Sequence, residues 1–228
     1  LAASLFDTRA LDGKRVVITA GPTREAIDPV RYISNHSSGK MGFALAQAAV
    51  EAGAKTVLIA GPVNLPTPTH AERIDVVSAD EMLTATMAAI DGADIFIATA
   101  AVADYRPVSC ADQKIKKKTT DRSKITIELE QNTDIIATVA AQNNKPFTVG
   151  FAAETQDLLA YAKDKLKRKN LDMIIANDVS NSRIGFNSDN NAVSVVWKNG
   201  QRDYAEMSKQ QLARQLISDI ATQVINET

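Results

Sequence analysis

Cysteine is close to absent. Cys110 stands alone in 228 residues, so no disulfide can form within the chain, and with only His36 and His70 beside it the four ligands of a structural zinc site are not available. Such a chain is expected in a reducing, cytoplasmic setting. No run of about 18 apolar residues occurs, and Leu1 to Asp7 lacks the basic-then-apolar pattern of a secretory signal, which argues against a membrane-spanning helix and against export. An excess of one charge is missing too: 26 Lys plus Arg against 27 Asp plus Glu leave −1. No global field draws nucleic acid or a membrane surface, and any basic function has to be local. Glycine is sparse, at 10 residues, and no G-x-G-x-x-G turn is present. The first candidate turn reads Gly21-Pro22-Thr23-Arg24-Glu25, which excludes the standard dinucleotide fingerprint.

What is present is globular in balance, with 45% hydrophobic and 23% charged residues. A chain of this size buries roughly 70% of its unfolded surface, and residues 1–228 are expected to form a single domain. A start at Leu1 instead of Met is what a segment of a longer polypeptide shows.

Short apolar or β-branched runs of strand length occur at Lys14–Ala20, Thr56–Ala60, Arg73–Ser78, Asp94–Thr99, Phe147–Phe151 and Asp172–Ala176. Between them, Gly39–Ala52, Ala79–Ile90, Asp134–Gln142, Asp157–Lys169 and Ser208–Ile225 carry apolar residues at helical spacing. This alternation predicts an α/β fold: a doubly wound, mostly parallel, Rossmann-like sheet with helices on both faces. Two antiparallel additions are expected. Lys124–Leu129 alternates with period two, and Ala192–Trp197 with Arg202–Ala205 flanks the turn pair Asn199-Gly200. Residues 104–130 are expected to protrude as a flap or arm whose strand edge pairs with another subunit.

Ligands of such sheets sit beyond the carboxyl ends of the strands. After the first strand, the loop from Ser34 to Gly42 offers Ser37, Ser38 and Gly39 at a helix start, an anion site as readily as an ordinary cap. It departs from a P-loop at Ser34 and Met41. Asn35, just before it, is a neutral amide able to polarise a carbonyl, although such residues often serve only turns. Ala98-Thr99-Ala100-Ala101-Val102-Ala103-Asp104 follows a strand with small residues that let a base or phosphate approach the backbone, or simply let a helix pack closely. Asp104 there suits a ribose hydroxyl or a metal ion. Lys114, Lys116, Lys117 and Lys118 make one local concentration of positive charge. Lys165 and Lys169, one helical turn apart, belong to another that suits a phosphate chain or a solvated helix face. Tyr161 and Lys165 also form a Y-x-x-x-K pair, without its companion glycine turn.

Several blocks together resemble the phosphopantothenoylcysteine synthetase (phosphopantothenate–cysteine ligase) family: Gly21-Pro22-Thr23-Arg24, the run from Asp28 to Gly42, Ala100 to Tyr105, Lys114 to Lys117, Gly150 to Thr155, and Ala176-Asn177-Asp178. In bacteria this family often forms the C-terminal half of a bifunctional coenzyme A biosynthesis protein, behind a flavin-dependent decarboxylase domain. The resemblance implies that FMN belongs to that other half. It also implies a cytoplasmic homodimer that uses CTP with Mg²⁺, its metal ligands unspecified, to join 4′-phosphopantothenate to L-cysteine through an acyl-cytidylate. By the same resemblance Lys114 neutralises phosphate charge during activation, and Asn35 holds the acyl carbonyl during cysteine attack. Arg31 and Ala101 lie in motifs of that second step. Ala98, Thr99, Ala100, Asp104, Thr133, Asp134, Ile135, Ile136, Phe151, Lys165 and Lys169 match CTP-contacting positions, with Thr133 standing where proline is frequent. An NADP-linked reductase and a non-catalytic nucleotide-binding module are the rival readings of the same pattern.

Overall fold

The computed structural model describes residues 9–116, 125–154, 158–178 and 188–227. In chain order the elements are β1 (Arg15–Ala20), β2 (Arg24–Asp28), β3 (Arg31–Ser34), α1 (Lys40–Glu51), β4 (Lys55–Ala60), β5 (Glu72–Asp75), α2 (Ala79–Ala89), β6 (Ile95–Ala98) and β7 (Tyr105–Pro107). They continue with β8 (Leu129–Gln131), α3 (Ile135–Ala140), β9 (Phe147–Glu154), α4 (Leu158–Arg168), β10 (Met173–Asp178), β11 (Asn190–Trp197), β12 (Gly200–Ser208) and α5 (Lys209–Glu227).

The apolar runs become the inner strands of an eight-stranded sheet of order β12-β11-β10-β9-β6-β1-β4-β5. From β5 to β10 the strands are parallel, and β11 and β12 pair antiparallel. Each inner strand is buried on both faces, so alternate side chains feed opposite layers. Val16, Ile18 and Ala20 pack with α1 and α5 around Leu45, Leu216 and Ile220. Val17 and Phe96 pack the other way with Met82 of α2 and Val139 of α3. Beyond them Ala162 of α4 meets Ile174 and Val196. The chain winds from β1 to β4 on one side and reaches β6 on the other, so the order reverses between β1 and β6. That crevice is where such sheets take ligands.

The sheet and the hairpin at its β11–β12 edge follow the expected pattern with local differences, whereas the expected Lys124–Leu129 strand does not form over that span. Phe147–Phe151 and Asp172–Ala176 each extend further at the carboxyl end, to Glu154 and Asp178. The Arg73–Ser78 run is shorter, because β5 ends at Asp75 and Ser78 instead caps α2 by accepting from Glu81 N. Within Lys124–Leu129 the strand begins only at Leu129, pairing with Tyr105–Pro107. Residues 125–128 lie outside any named strand, with one bond from Val108 N to the Glu128 carbonyl. Lys117, Lys118, Lys124 and Asp157 lie outside the described residues. The loop expected between β1 and α1 contains an antiparallel hairpin, β2–β3. Its anchors are charged: Glu25, 4% exposed, accepts from Ala79 N at 3.0 Å and so caps α2 from outside.

Candidate active site

The carboxyl ends of β1 and β6 keep exchanging backbone bonds after the regular ladder stops. Thr99 Oγ donates to the Thr19 carbonyl at 2.5 Å, and Ala101 N donates to the Gly21 carbonyl at 2.9 Å. Thr23 Oγ accepts from Ala103 N at 2.9 Å. This stitching lays the small-residue segment 98–103 flat across the strand ends. Helix α1 comes close above it because residue 42 is glycine: a Cβ there would stand 2.4 Å from Thr99 Oγ and 2.5 Å from the Ala20 methyl. Gly39, at φ 74°, starts the same helix in the left-handed region, which glycine adopts without strain.

Two clefts meet over this platform. The larger, about 370 Å³, is lined by Ala98, Ala100, Ala101, Asp104, Thr133, Asp134, Ile135, Ile136, Phe151, Lys165 and Lys169, together with neighbours such as Thr19, Val102 and Asn132. Lys165 Nζ donates to the Phe151 carbonyl at 3.3 Å, and Lys169 Nζ meets Asp134 Oδ2 at 2.5 Å. Asp134 also caps α3 by accepting from Ala137 N. Desolvation works against ionisation of Asp134, but the Lys169 ammonium and the Ala137 N–H outweigh it and hold the carboxyl below its ordinary range. The wall thus carries two lysines on one helix face, as the four-residue spacing requires.

The smaller cleft, about 190 Å³, is lined by Ser37, Ser38, Gly39 and Thr99, and shares Ala100, Ala101 and Phe151 with the larger. Asn177, Asn191, Lys40 and Lys209 complete its polar lining. Asn177 belongs to the Ala176-Asn177-Asp178 block of the resemblance. Asn191 and Lys209 carry no local motif, since one opens the antiparallel addition and the other follows β12. The topology alone brings them here.

Asn35 is not among the lining residues of either cleft, but its amide donates to the carbonyls of two residues that line the larger one, Val102 at 2.9 Å and Ala101 at 3.4 Å. Arg31 and Lys114 line neither cleft. They are tied to each other instead. The Asp28 side chain is fully buried and accepts from Val30 N at 2.9 Å, from Ile115 N at 3.1 Å and from the Arg31 guanidinium. Arg31 in turn donates to the Ile115 carbonyl at 3.0 Å. Asp28 and Arg31 therefore hold both backbone groups of the residue next to Lys114. The Arg31 guanidinium and the two N–H donors keep the Asp28 carboxyl far below the usual carboxylate range despite its burial. Among the described residues, no three His, Cys, Asp or Glu side chains gather as a metal cage. No helix among them is long and apolar enough to cross a membrane.

With this geometry in view, comparison with known proteins is informative. A family model described as DNA/pantothenate metabolism flavoprotein C-terminal domain matches residues 11–224. The chain is 60% identical over 211 residues to the coenzyme A biosynthesis bifunctional protein CoaBC of Vibrio cholerae serotype O1, covering 92% of this chain and 53% of that protein. It therefore spans about half the length of that relative. The crystal structure of the C-terminal domain of a CoaBC matches with TM-score 0.82 at 40% identity, covering 96% of this chain and 100% of the other. A Cab2 mutant in complex with phosphopantothenate-cysteine matches with TM-score 0.75 at 17% identity, over 94% of this chain and 88% of that one, and shares the fold.

Proposed function

The chain belongs to the DNA/pantothenate metabolism flavoprotein C-terminal domain family, and from that premise we propose that it is a CTP-dependent ligase joining 4′-phosphopantothenate to L-cysteine in coenzyme A biosynthesis. The observation that carries this reading is the pair of clefts meeting over Ala100, Ala101 and Phe151. Two substrates bound from either side would present their reacting ends to each other on that platform.

A carboxylate does not acylate an amine at neutral pH, because its oxygen leaves too poorly. The carboxylate of the acid attacks the α-phosphorus of CTP, pyrophosphate departs, and the mixed anhydride of acid and CMP remains. The amine of cysteine then adds to the acyl carbon, and CMP leaves with the anhydride oxygen. Little of this asks for covalent help from the protein. Its work is positioning and charge neutralisation.

In this reading the larger cleft takes CTP. Ala98, Ala100, Asp104, Phe151 and the Thr133–Ile136 turn surround it, Thr99 stands beside them on the wall of the smaller cleft, and Lys165 and Lys169 meet the negative charge of the nucleotide. Ser37, Ser38 and Gly39 of the smaller cleft cradle the phosphate of the acid. Asn35 sits where the acyl group would lie. Its shorter bond, to Val102, orients the amide, and the 3.4 Å bond to Ala101 is the one a substrate oxygen would replace. An amide donor of this kind is worth about 3–4 kcal/mol on a tetrahedral oxyanion. Lys114 neutralises phosphate charge in the first step, and Arg31 and Ala101 serve the second. A magnesium ion would accompany the triphosphate, with Asp104 as the carboxylate of the cleft wall that is not paired with Lys169 as Asp134 is.

A homodimer belongs to the same proposal. Tyr105, Val108, Ile125, Ile127 and Leu129 leave an exposed apolar face on the arm, where a second copy would complete the site. Flavin-dependent decarboxylation, with its FMN, is assigned to the part of the relatives' length outside this segment, and the setting is cytoplasmic. The test is pyrophosphate release with each of the four NTPs in the presence of Mg²⁺. Release with CTP that requires 4′-phosphopantothenate is expected. Release without the acid, or none with any nucleotide, contradicts the reading.

A further inference from the structure

The arm leaves the body after Asp104 and comes back at Asn132, and the point of return is held on three sides. Asn132 N donates to the Asp104 carbonyl at 2.8 Å. Its side-chain Nδ2 donates to the Ala103 carbonyl at 2.9 Å, and its Oδ1 accepts from Arg106 Nη1 at 2.8 Å. Asn132 is 7% exposed and Ala103 3%, so the bond between them lies in the interior. A carboxamide has one donating and one accepting end, whereas a guanidinium only donates. Arg106 on Oδ1 therefore turns the NH₂ group of Asn132 toward Ala103. Arg106 is itself steadied across the β7–β8 ladder, where its Nε donates to Glu130 Oε1 at 3.0 Å. Ala103 is gripped from behind as well, its N–H donating to Thr23 Oγ at 2.9 Å. These bonds join the two walls of the larger cleft. Ala103 and Asp104 end the platform on one side, and Thr133 to Ile136 follow Asn132 on the other, with Asp134 capping α3 and meeting Lys169. A buried hydrogen bond that runs from wall to wall fixes the gap a ligand enters.

We propose that Asn132, oriented by Arg106, is a positioning residue that sets the gap between the two walls of the larger cleft and with it the grip on the nucleotide. The identity of that nucleotide rests on the ligase reading, which seats CTP there. Arg106 is not among the lining residues of either cleft, so its influence on the nucleotide passes through Asn132. The same guanidinium stands at the root of the arm from which Lys114 hangs, and the two roles have different kinetic signatures. A residue that only attaches the arm slows the chemical step. One that sets the gap changes the affinity for CTP.

The experiment is calorimetric titration of the whole chain and its variants with CTP and, separately, with 4′-phosphopantothenate, alongside rates of pyrophosphate release at saturating CTP. Asn132→Ala removes the bond to Ala103. Arg106→Met keeps the apolar stem and leaves the Asn132 amide free to turn, at a side chain 40% exposed whose loss the fold tolerates more readily. Arg106→Lys restores a charged donor, and thermal melts verify that each variant is folded. The expected result is a loss of roughly tenfold in CTP affinity with Asn132→Ala and of about threefold with Arg106→Met, with recovery in Arg106→Lys and no change for 4′-phosphopantothenate. The double variant should bind CTP no worse than Asn132→Ala alone, because Arg106 acts through a group already removed. Unchanged CTP affinity in either folded single variant overturns the proposal, and so do additive losses in the double variant. Slower pyrophosphate release at saturating CTP with CTP affinity intact also overturns it, leaving Asn132 as an attachment of the arm. The ligase reading is judged on the unaltered chain: it fails if that chain binds CTP yet releases no acid-dependent pyrophosphate, a result the variants do not bear on. An unaltered chain that binds no CTP defeats both.

Discussion

The clefts are lined from the ends of β6, β9 and β10, strands with neighbours on both sides, whereas Arg31 and Lys114 hang from β2–β3 and from the segment after β7. The first region is held by packed apolar layers and continuous backbone ladders. The second is held to the body by polar contacts such as Glu25 on Ala79 N, Arg24 N on the Val77 carbonyl and Asn132 on the Ala103 carbonyl at 2.9 Å, and is tied within itself by Asp28 on Ile115. Burial of apolar area is insensitive to small displacements, while a charge-assisted hydrogen bond is lost within an ångström. Damage to the sheet ends should therefore weaken binding and stability together. Damage to the hairpin and loop should slow chemistry while binding survives.

The largest expected effect comes from Asn35→Asp. A second negative charge beside the developing oxyanion should slow cysteine ligation by about 10²–10³-fold, with cytidylate formation and CTP affinity retained, as rapid quench and titration would show. Loss of CTP affinity in this variant would erase the distinction between the regions. Gly42→Ala attacks the other side. Its methyl group meets Thr99 Oγ and Ala20, so overpacking of about 1–3 kcal/mol is expected in urea denaturation, with weaker binding of both substrates. Next comes Asp28→Asn, which has one oxygen where Val30 N and Ile115 N each use a different carboxylate oxygen, so that it gives up one of those two bonds together with the charge that holds Arg31. Amide exchange at Ile115 should quicken and the activation step slow on the order of tenfold, with CTP affinity unchanged.

The smallest effect is on the acid limb of stability. Asp28 and Asp134 both have carboxyls held below their ordinary values in the folded chain. Their contribution is therefore complete above the unfolded carboxylate value of about 4 and is lost as pH falls through the depressed folded values. Asp134→Asn should lower the melting temperature modestly at neutral pH and converge with the unaltered chain in acid, so that the limb flattens in pH-dependent melts. An unchanged acid limb would show that the Lys169 pair contributes nothing to folding.

How legible each region was follows from the same contrast. The β1–α1–β4 and α2–β6 units announce themselves because burial on both faces demands unbroken apolar runs such as VVITA and TVLIA, and helices demand spaced ones. The platform at 98–104 was legible from its small residues, and Lys165 and Lys169 from their spacing. The β2–β3 hairpin was hidden because REAID buries Glu25 and Asp28, charged residues that read as solvent-facing until their partners on α2 and the arm are seen. Arg31 and Lys114 were legible as charges, but their mutual tie through Ile115 spans 84 positions and leaves no local pattern. Lys209 and Asn191 were silent for the same reason: they enter the smaller cleft through an antiparallel turn of the sheet.

The central claim is that a poorly electrophilic acid becomes reactive only as a mixed anhydride with CMP formed over Ala100 and Ala101. Mass spectrometry of mixtures quenched from the chain, CTP, Mg²⁺ and 4′-phosphopantothenate, with cysteine withheld, tests it most directly. The account predicts a species with the summed mass of acid and CMP less water, which disappears on adding cysteine as phosphopantothenoylcysteine appears. Product formation with no trace of that species at any quench time, or transfer of phosphate to the acid with release of CDP, would contradict it.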